Sequence, residues 1–259
     1  MRYYKGYISL SNTSDVPVLL HIRNARALSF IQLRDLLSFD LVGEISRSLR
    51  WRVARLEKAG LIKRLEGYRH IGTPLYGVTR VGLEFLESRG HYLLSLPSNA
   101  EPNFHASQIP HALELANIRI ALARASLLHS WRGDLEVGSR NLVIENPMVK
   151  DYDAVAEIEI DGTTRSLGIE YERTPKAVAR YRAIREVLDK DETTDLVLYL
   201  TSSDDLLYLL ATEMRGTRKR IGFALSESFR HFLLDTRTLT NTNDSDVVPL
   251  RDLLASDEL

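Results

Sequence analysis

The sequence predicts a multi-domain chain of the α/β class: a small helical domain with a two-stranded wing, followed by a mixed α/β domain. Three observations carry that expectation. Residues 1–90 hold 15 Lys plus Arg against 8 Asp plus Glu, a net of +7, whereas the remainder of the chain is net −8. Between the halves lies HYLLSLPSNAEPNF, residues 91–104, whose prolines, asparagines and serines read as a linker. Further on, Asp161-Gly162 joins two runs of alternating apolar and polar residues, a strong short-range signal for a β-hairpin. The expected boundaries are 1–90 for the first domain, 91–104 for the linker, 105–235 for the second domain, and 236–259 for a polar C-terminal segment with a short helix.

Composition narrows the function classes. With 259 residues, 44% apolar and 27% charged, the chain has the make-up of a soluble globular protein with a sizeable core. Cysteine is absent, which excludes disulfides, thiolate catalysis and Cys-based zinc sites. MRYYKGYISLSN lacks the apolar centre of a signal peptide, and no apolar run approaches the roughly 18 residues a membrane span needs. A cytoplasmic protein with no membrane partner is expected. A basic front half suits a polyanionic partner, and an acidic back half suits a metal ion or ordinary solvation.

In the front half the order is helix, helix, helix, strand, strand, helix. Segments 15–25 and 29–38 have helical apolar spacing, and GEISRSLRWRVARLEKAG places Ile45, Leu49, Val53 and Leu56 on one stripe, with Gly60 as C-terminal cap. LIKRLEG and PLYGVT read as strands, and Thr79 caps a last helix over RVGLEFLES. This is the order of a winged helix-turn-helix. Opposite the apolar stripe stand Arg47, Arg50 and Ala54, with Arg55 and Lys58 beside them, and the wing adds Lys63, Arg64 and Arg69. Such a helix can enter the major groove of double-stranded DNA, where arginine reads guanine edges while lysines and wing arginines neutralise phosphates. The alternative is a solvated basic face. Trp51 is expected to pack between helices.

The back half reads as helix (SQIPHALELANIRIALARASLL), strand (DLEVGS), strand (YDAVAEIEI), strand (TRSLGIEYE), helix (PKAVARYRAIREVLD) and strand (DLVLYLT), then further helices and strands. A two-residue turn at Asp161-Gly162 sets Ile160 opposite Thr163 and hence Asp153 opposite Glu170. Directly opposed residues share a sheet face with Cβ atoms about 4.5–5.5 Å apart. The same register sets Asp151 opposite Glu172. Four acids on one face, with no base among them on those strands, suit Mg²⁺ (or Mn²⁺), which takes oxygen ligands and keeps its waters. If only an ion offsets their repulsion, removing one of them should raise stability without metal. The alternative is the solvent face of a ribbon that also carries Glu157 and Glu159.

The helix–three-strand–helix–strand order, with Asp153 followed by Glu170-Tyr171-Glu172, resembles the PD-(D/E)xK nuclease core of restriction endonucleases, an α-β-β-β-α-β arrangement. The resemblance implies Asp153 and Glu170 as metal ligands and places Glu172 where lysine is usual, with Tyr152 where proline is usual. Lys176 is then the candidate substitute for the lysine, in the first turn of a helix that Thr174 caps and Pro175 opens. His111, Glu114 and Asn117 share one face of the preceding helix; Glu114 stands where an acid can complete the metal site, and His111 can orient it or contact phosphate. Arg180 and Arg182 can grip backbone phosphates or solvate their helix.

The whole arrangement, LRWRVARLEKAGLI and PLYGVTRVGLEFL followed by IPHALELANIRIAL, YDAV and LGIEYERTPK, resembles the replication-relaxation family of plasmid and phage proteins over roughly residues 25 to 200. That resemblance implies a DNA-binding front half and a nuclease-like back half linked to mobile-element replication or transfer. Relaxase or replication proteins are candidate partners, and a homodimer is a candidate assembly. Two functions stay open: metal-dependent DNA cleavage or nicking, in which Asp153, Glu170, Glu172 and Lys176 form the catalytic set, and a non-catalytic DNA-binding regulator or relaxosome accessory with a degenerate nuclease fold.

Overall fold

The computed structural model describes residues 10–255 apart from 41–44, 69–70, 100–101, 103–104, 106, 146 and 242–246; the side chains of residues 45–47 are also outside the description. The chain divides into two compact units, Met1–Ala116 and Asn117–Leu259. The division falls within a helix, downstream of the linker expected at 91–104.

The first unit contains α1 (Asp15–Asn24), β1 (Leu28–Ser29), α2 (Phe30–Asp40), α3 (Ile45–Lys58), β2 (Ile62–Arg64), β3 (Leu75–Val78) and α4 (Arg80–Ser88). Its core is apolar stripe against apolar stripe. Val18, Leu19 and Ile22 of α1 are buried with Leu33 and Leu37 of α2, Leu49, Val53 and Leu56 of α3, and Leu83 and Leu86 of α4. Gly60 ends α3 at a φ of +73°, and the Thr79 hydroxyl accepts a 3.1 Å hydrogen bond from the Gly82 N–H to cap α4. The strands form an antiparallel sheet in the order β1-β3-β2. β1 is absent from the expected order because two residues pairing with β3 leave no periodicity in the sequence.

Helix α5 (Ile109–Arg124) runs from the first unit into the second. The second unit continues with β4 (Leu128–Gly133), α6 (Asp134–Asn141), β5 (Ala154–Ile160), β6 (Thr163–Glu172), α7 (Val178–Leu188), β7 (Leu196–Thr201), α8 (Asp204–Glu213), β8 (Ile221–Leu225), α9 (Ser226–Phe232), β9 (Arg237–Thr240), β10 (Val247–Pro249) and α10 (Leu250–Ala255). The strands make one seven-stranded sheet in the order β10-β9-β8-β7-β6-β5-β4. Its centre, β6-β7-β8, is parallel, and the flanking pairs are antiparallel. β7 is buried at every position, as a central strand covered on both faces must be. On one face Val155, Val197, Tyr199, Ile221 and Phe223 pack with Tyr181 and Leu188 of α7 and Leu206, Leu207 and Leu210 of α8.

The segment DLEVGS is helix α6, and the strand is the preceding β4. Asp134 and Glu136 favour the positive end of a helix, and the Gly133 N–H donates to Glu136 Oε2 at 3.2 Å, so local capping outweighs the apparent alternation. The segment from 236 is no mere appendage: β9 pairs with β8, and β10 with β9, within the main sheet. Finally, α7 starts at Val178, so Lys176 lies in the connection after β6 rather than in the first turn; its N–H donates to the Tyr181 hydroxyl at 2.8 Å.

The hairpin register is as expected. Asp161 and Gly162 have φ of +49° and +77°, the left-handed pair that a two-residue turn requires, and Ile160 faces Thr163 through to Ala154 facing Ile169. Beyond Ala154 the chain bends, and Tyr152 folds over Gly168, whose missing Cβ would stand 3.0 Å from the tyrosine ring. The Tyr152 hydroxyl donates to Asp191 Oδ2 at 2.8 Å. Asp191 also accepts from the hydroxyls of Thr193 and Thr194, each at 2.5 Å, and pairs with Lys219 at 3.0 Å. Burial raises its pKa, but hydrogen bonds from Thr193, Thr194, Lys219 and Tyr152 outweigh this and bring it from 3.8 to about 2. A carboxyl depressed in the folded state stabilises above its unfolded pKa, and the contribution is lost as pH falls from about 4 towards 2. It amounts to about 2 kcal/mol. Asp191→Asn should lose at least this much at neutral pH and lose less stability than wild type between about pH 4 and 2. Denaturant titrations across that range check it; an unchanged acid limb contradicts the assignment.

Candidate functional site

Glu170 sits where β6 nears its C-terminal end, on the face that carries Gly168, beside Tyr199 of the parallel neighbour β7. Its side chain is buried. Asp153 lies across from it, just before β5, and the two are stitched together. The Asp153 N–H approaches Glu170 Oε1 at 3.4 Å, and the Tyr171 N–H donates to Asp153 Oδ2 at 2.8 Å. Glu172, one alternation on, is also buried. The expected pairing of carboxylates is therefore present for Asp153 and Glu170.

The face of four unneutralised acids is not. Asp151 leaves the ladder where the chain bends, is exposed, and accepts from Asn141 Nδ2 at 2.6 Å. Two lysines from outside the strands enter instead: the Lys150 ammonium contacts Glu170 Oε1, and the Lys176 ammonium contacts Glu172 Oε1. Lys150 went unnoticed in the sequence because it precedes the strand, and only the bend at Tyr152 returns it to Glu170. Its ammonium also lies 5.1 Å from the centre of the Tyr152 ring. Burial raises the Glu170 carboxyl above its usual pKa, with Lys150 opposing the shift and Asp153 adding to it. Burial lowers the Lys176 ammonium, against the pull of Glu170 and Asp153.

Tyr199 completes the cluster. Its hydroxyl is buried and has no hydrogen-bond partner. Burial, then the negative charge of Glu170 and, more weakly, of Asp153, hold its pKa well above 10. An orphaned hydroxyl beside two carboxylates fits a site that a hydrated cation would complete, because a water kept by the ion could supply its missing partner. Among the described residues no three His, Asp or Glu side chains stand close enough to hold an ion together, so any ion would rest on the Asp153–Glu170 pair and water. His111 and Glu114 are half-buried on α5 in the first unit, while Asp153 and Glu170 belong to the second. Arg180 and Arg182 are exposed on α7.

On α3, Arg50, Trp51, Ala54 and Lys58 are exposed, as are Lys63 and Arg64 on β2. Trp51 is 52% exposed rather than packed between helices, with the Arg55 guanidinium 4.5 Å from its ring centre. Arg55 is turned inward and pairs with the buried Asp15, which Arg52 also approaches at 3.5 Å. It therefore anchors α3 to α1. Arg50 lies 5.8 Å from the Phe30 ring centre, and Arg64 lies 5.9 Å from that of Tyr76 and 3.5 Å from Glu57. These arginines border a groove of about 530 Å³ that Ile31 and Arg34 of α2 also line. Arg47 falls in α3 with its side chain outside the description, and Arg69 lies outside the described residues.

Among the described residues no helix is long and apolar enough to cross a membrane. No curated protein and no solved structure matches the chain. The model of the replication-relaxation family matches residues 19–197, from within α1 to the start of β7, and so takes in both the basic helix and the Asp153–Glu170 hairpin. The chain belongs to the replication-relaxation family.

Proposed function

We propose that this replication-relaxation protein binds double-stranded DNA through a winged-helix module in its first unit and cuts or nicks DNA with a divalent cation at Asp153 and Glu170. The observation that carries the cleavage reading is the hairpin register, which brings two carboxylates together beside a buried hydroxyl that lacks a partner. Support for the binding reading comes from α3, which presents Arg50, Ala54 and Lys58 to solvent while its opposite stripe is buried.

Bound between these acids, Mg²⁺ or Mn²⁺ would supply a water of lowered pKa and positive charge for the attacked phosphate. Asp153 and Glu170 would hold the ion. Lys176, tied to Glu172 and partly desolvated, would offer a cation to the phosphate in the place the nuclease pattern gives to lysine. Incubation with supercoiled plasmid and Mg²⁺ or Mn²⁺ should give nicked or linear product that EDTA suppresses. Absence of product from both single- and double-stranded DNA with either ion would contradict cleavage.

One observation favours a second reading. Lys150 and Lys176 already neutralise Glu170 and Glu172, as they would in a degenerate site that serves only as structure in a DNA-binding regulator.

A further inference from the structure

Resting on the metal-site reading above, we propose that Lys150 is a tethered internal cation that holds Glu170 in the metal-free protein and is displaced from it when a divalent cation binds. The mount of this lysine is fixed. On either side of it, the Met148 N–H donates to Asn141 Oδ1 at 3.0 Å and Asn141 Nδ2 donates to Asp151 at 2.6 Å, while Tyr152 is locked by its hydroxyl to Asp191. Displacement therefore needs only rotation of the lysine side chain. The Tyr152 ring, 5.1 Å from the ammonium, turns its negative face to the same charge and so attracts it independently of Glu170.

The Lys150 ammonium and the Asp153 N–H meet the same Glu170 oxygen, Oε1, on the side from which Asp153 faces Glu170, and the neighbouring Tyr199 hydroxyl has no partner. An ion placed between Asp153 and Glu170 cannot share a carboxylate oxygen with an ammonium without like-charge repulsion, so the two compete.

The test is Mn²⁺ binding to the full chain, followed by electron paramagnetic resonance of the free ion. Lys150→Met should bind Mn²⁺ about tenfold more tightly or better than wild type, the ratio that one charge-assisted contact represents. Lys150→Arg, which keeps the charge, should bind no more tightly than wild type. In addition, the metal-free Lys150→Met protein should melt below wild type, and Mn²⁺ should raise its melting temperature by more than it raises that of wild type. If Lys150→Met does not fold, Lys150→Gln carries the same expectation, because it keeps a donor for Glu170 without the charge. Mn²⁺ bound by wild type and lost in Glu170→Gln, but bound no more tightly by Lys150→Met, would overturn the displacement while leaving the metal site standing. Absence of Mn²⁺ binding in every form would overturn both.

Discussion

Replacing Glu170 by Gln is expected to abolish Mn²⁺ binding and metal-dependent cleavage while leaving DNA affinity within about twofold of wild type, because the proposed binding residues belong to the first unit and Glu170 to the second. A neutral amide offers one weak oxygen where the carboxylate offered two charged ones, and Asp153 alone is a poor anchor for a cation that dehydrates reluctantly. The same substitution should lower the stability of the metal-free protein. The repulsion argument drawn from the sequence alone gives the opposite sign, but it assumes that nothing offsets the carboxylates. With Lys150 seated on Glu170, the change leaves an ammonium partly buried without its anion, at a cost of about 3 kcal/mol. Asp153→Asn should also remove metal binding, with a smaller stability loss, since its amide can still accept from the Tyr171 N–H. Calorimetric melting with and without Mn²⁺ checks both signs. A Glu170→Gln protein that is more stable without metal would show that Lys150 does not offset the charge.

The second large effect is on DNA binding. Arg47→Ala combined with Arg50→Ala should weaken binding to a preferred sequence by about 1–3 kcal/mol for each base contact removed. Arg50 is exposed on α3. Lys63→Ala with Arg64→Ala should instead lower affinity for all sequences and flatten the salt dependence, by about one unit of slope for each phosphate no longer neutralised. Arg55→Ala belongs to neither class, because its guanidinium is occupied by the buried Asp15 and its removal should appear as destabilisation of the first unit. Gel shifts at several salt concentrations separate the three outcomes. Wild-type affinity in both double variants would remove the exposed basic residues of α3 and β2 as the proposed DNA-binding surface.

How much of this was legible in the sequence depended on whether the signal was local. The stripe of Leu49, Val53 and Leu56, the Thr79 cap and the Asp161-Gly162 turn are each set by neighbours within a turn or two, and each appears in the fold as read. The turn also fixed the strand register, so the meeting of Asp153 and Glu170 followed from counting along two strands. DLEVGS misled because Leu135 and Val137 alternate like a strand while Asp134 and Glu136 favour a helix start. The neutralising role of Lys150 was invisible for a different reason. Lys150 reaches Glu170 only because Tyr152 folds over Gly168 and bonds to Asp191, a contact across 39 residues that no local pattern records. Tyr199 in the same way reads as one more residue of a buried strand, and only its place beside Glu170 makes its hydroxyl informative.

Asp153 and Glu170 are expected to form a cation site with their carboxylates, and crystallography with Mn²⁺ addresses this most directly. Crystals grown or soaked with Mn²⁺ should show an anomalous difference peak between the two carboxylates within coordination distance of both. The Lys150 ammonium should be withdrawn towards the Tyr152 ring, and water should reach the Tyr199 hydroxyl. Absence of a peak at saturating Mn²⁺, with Lys150 still seated on Glu170, would contradict a cation site and leave the cluster as a neutralised structural feature.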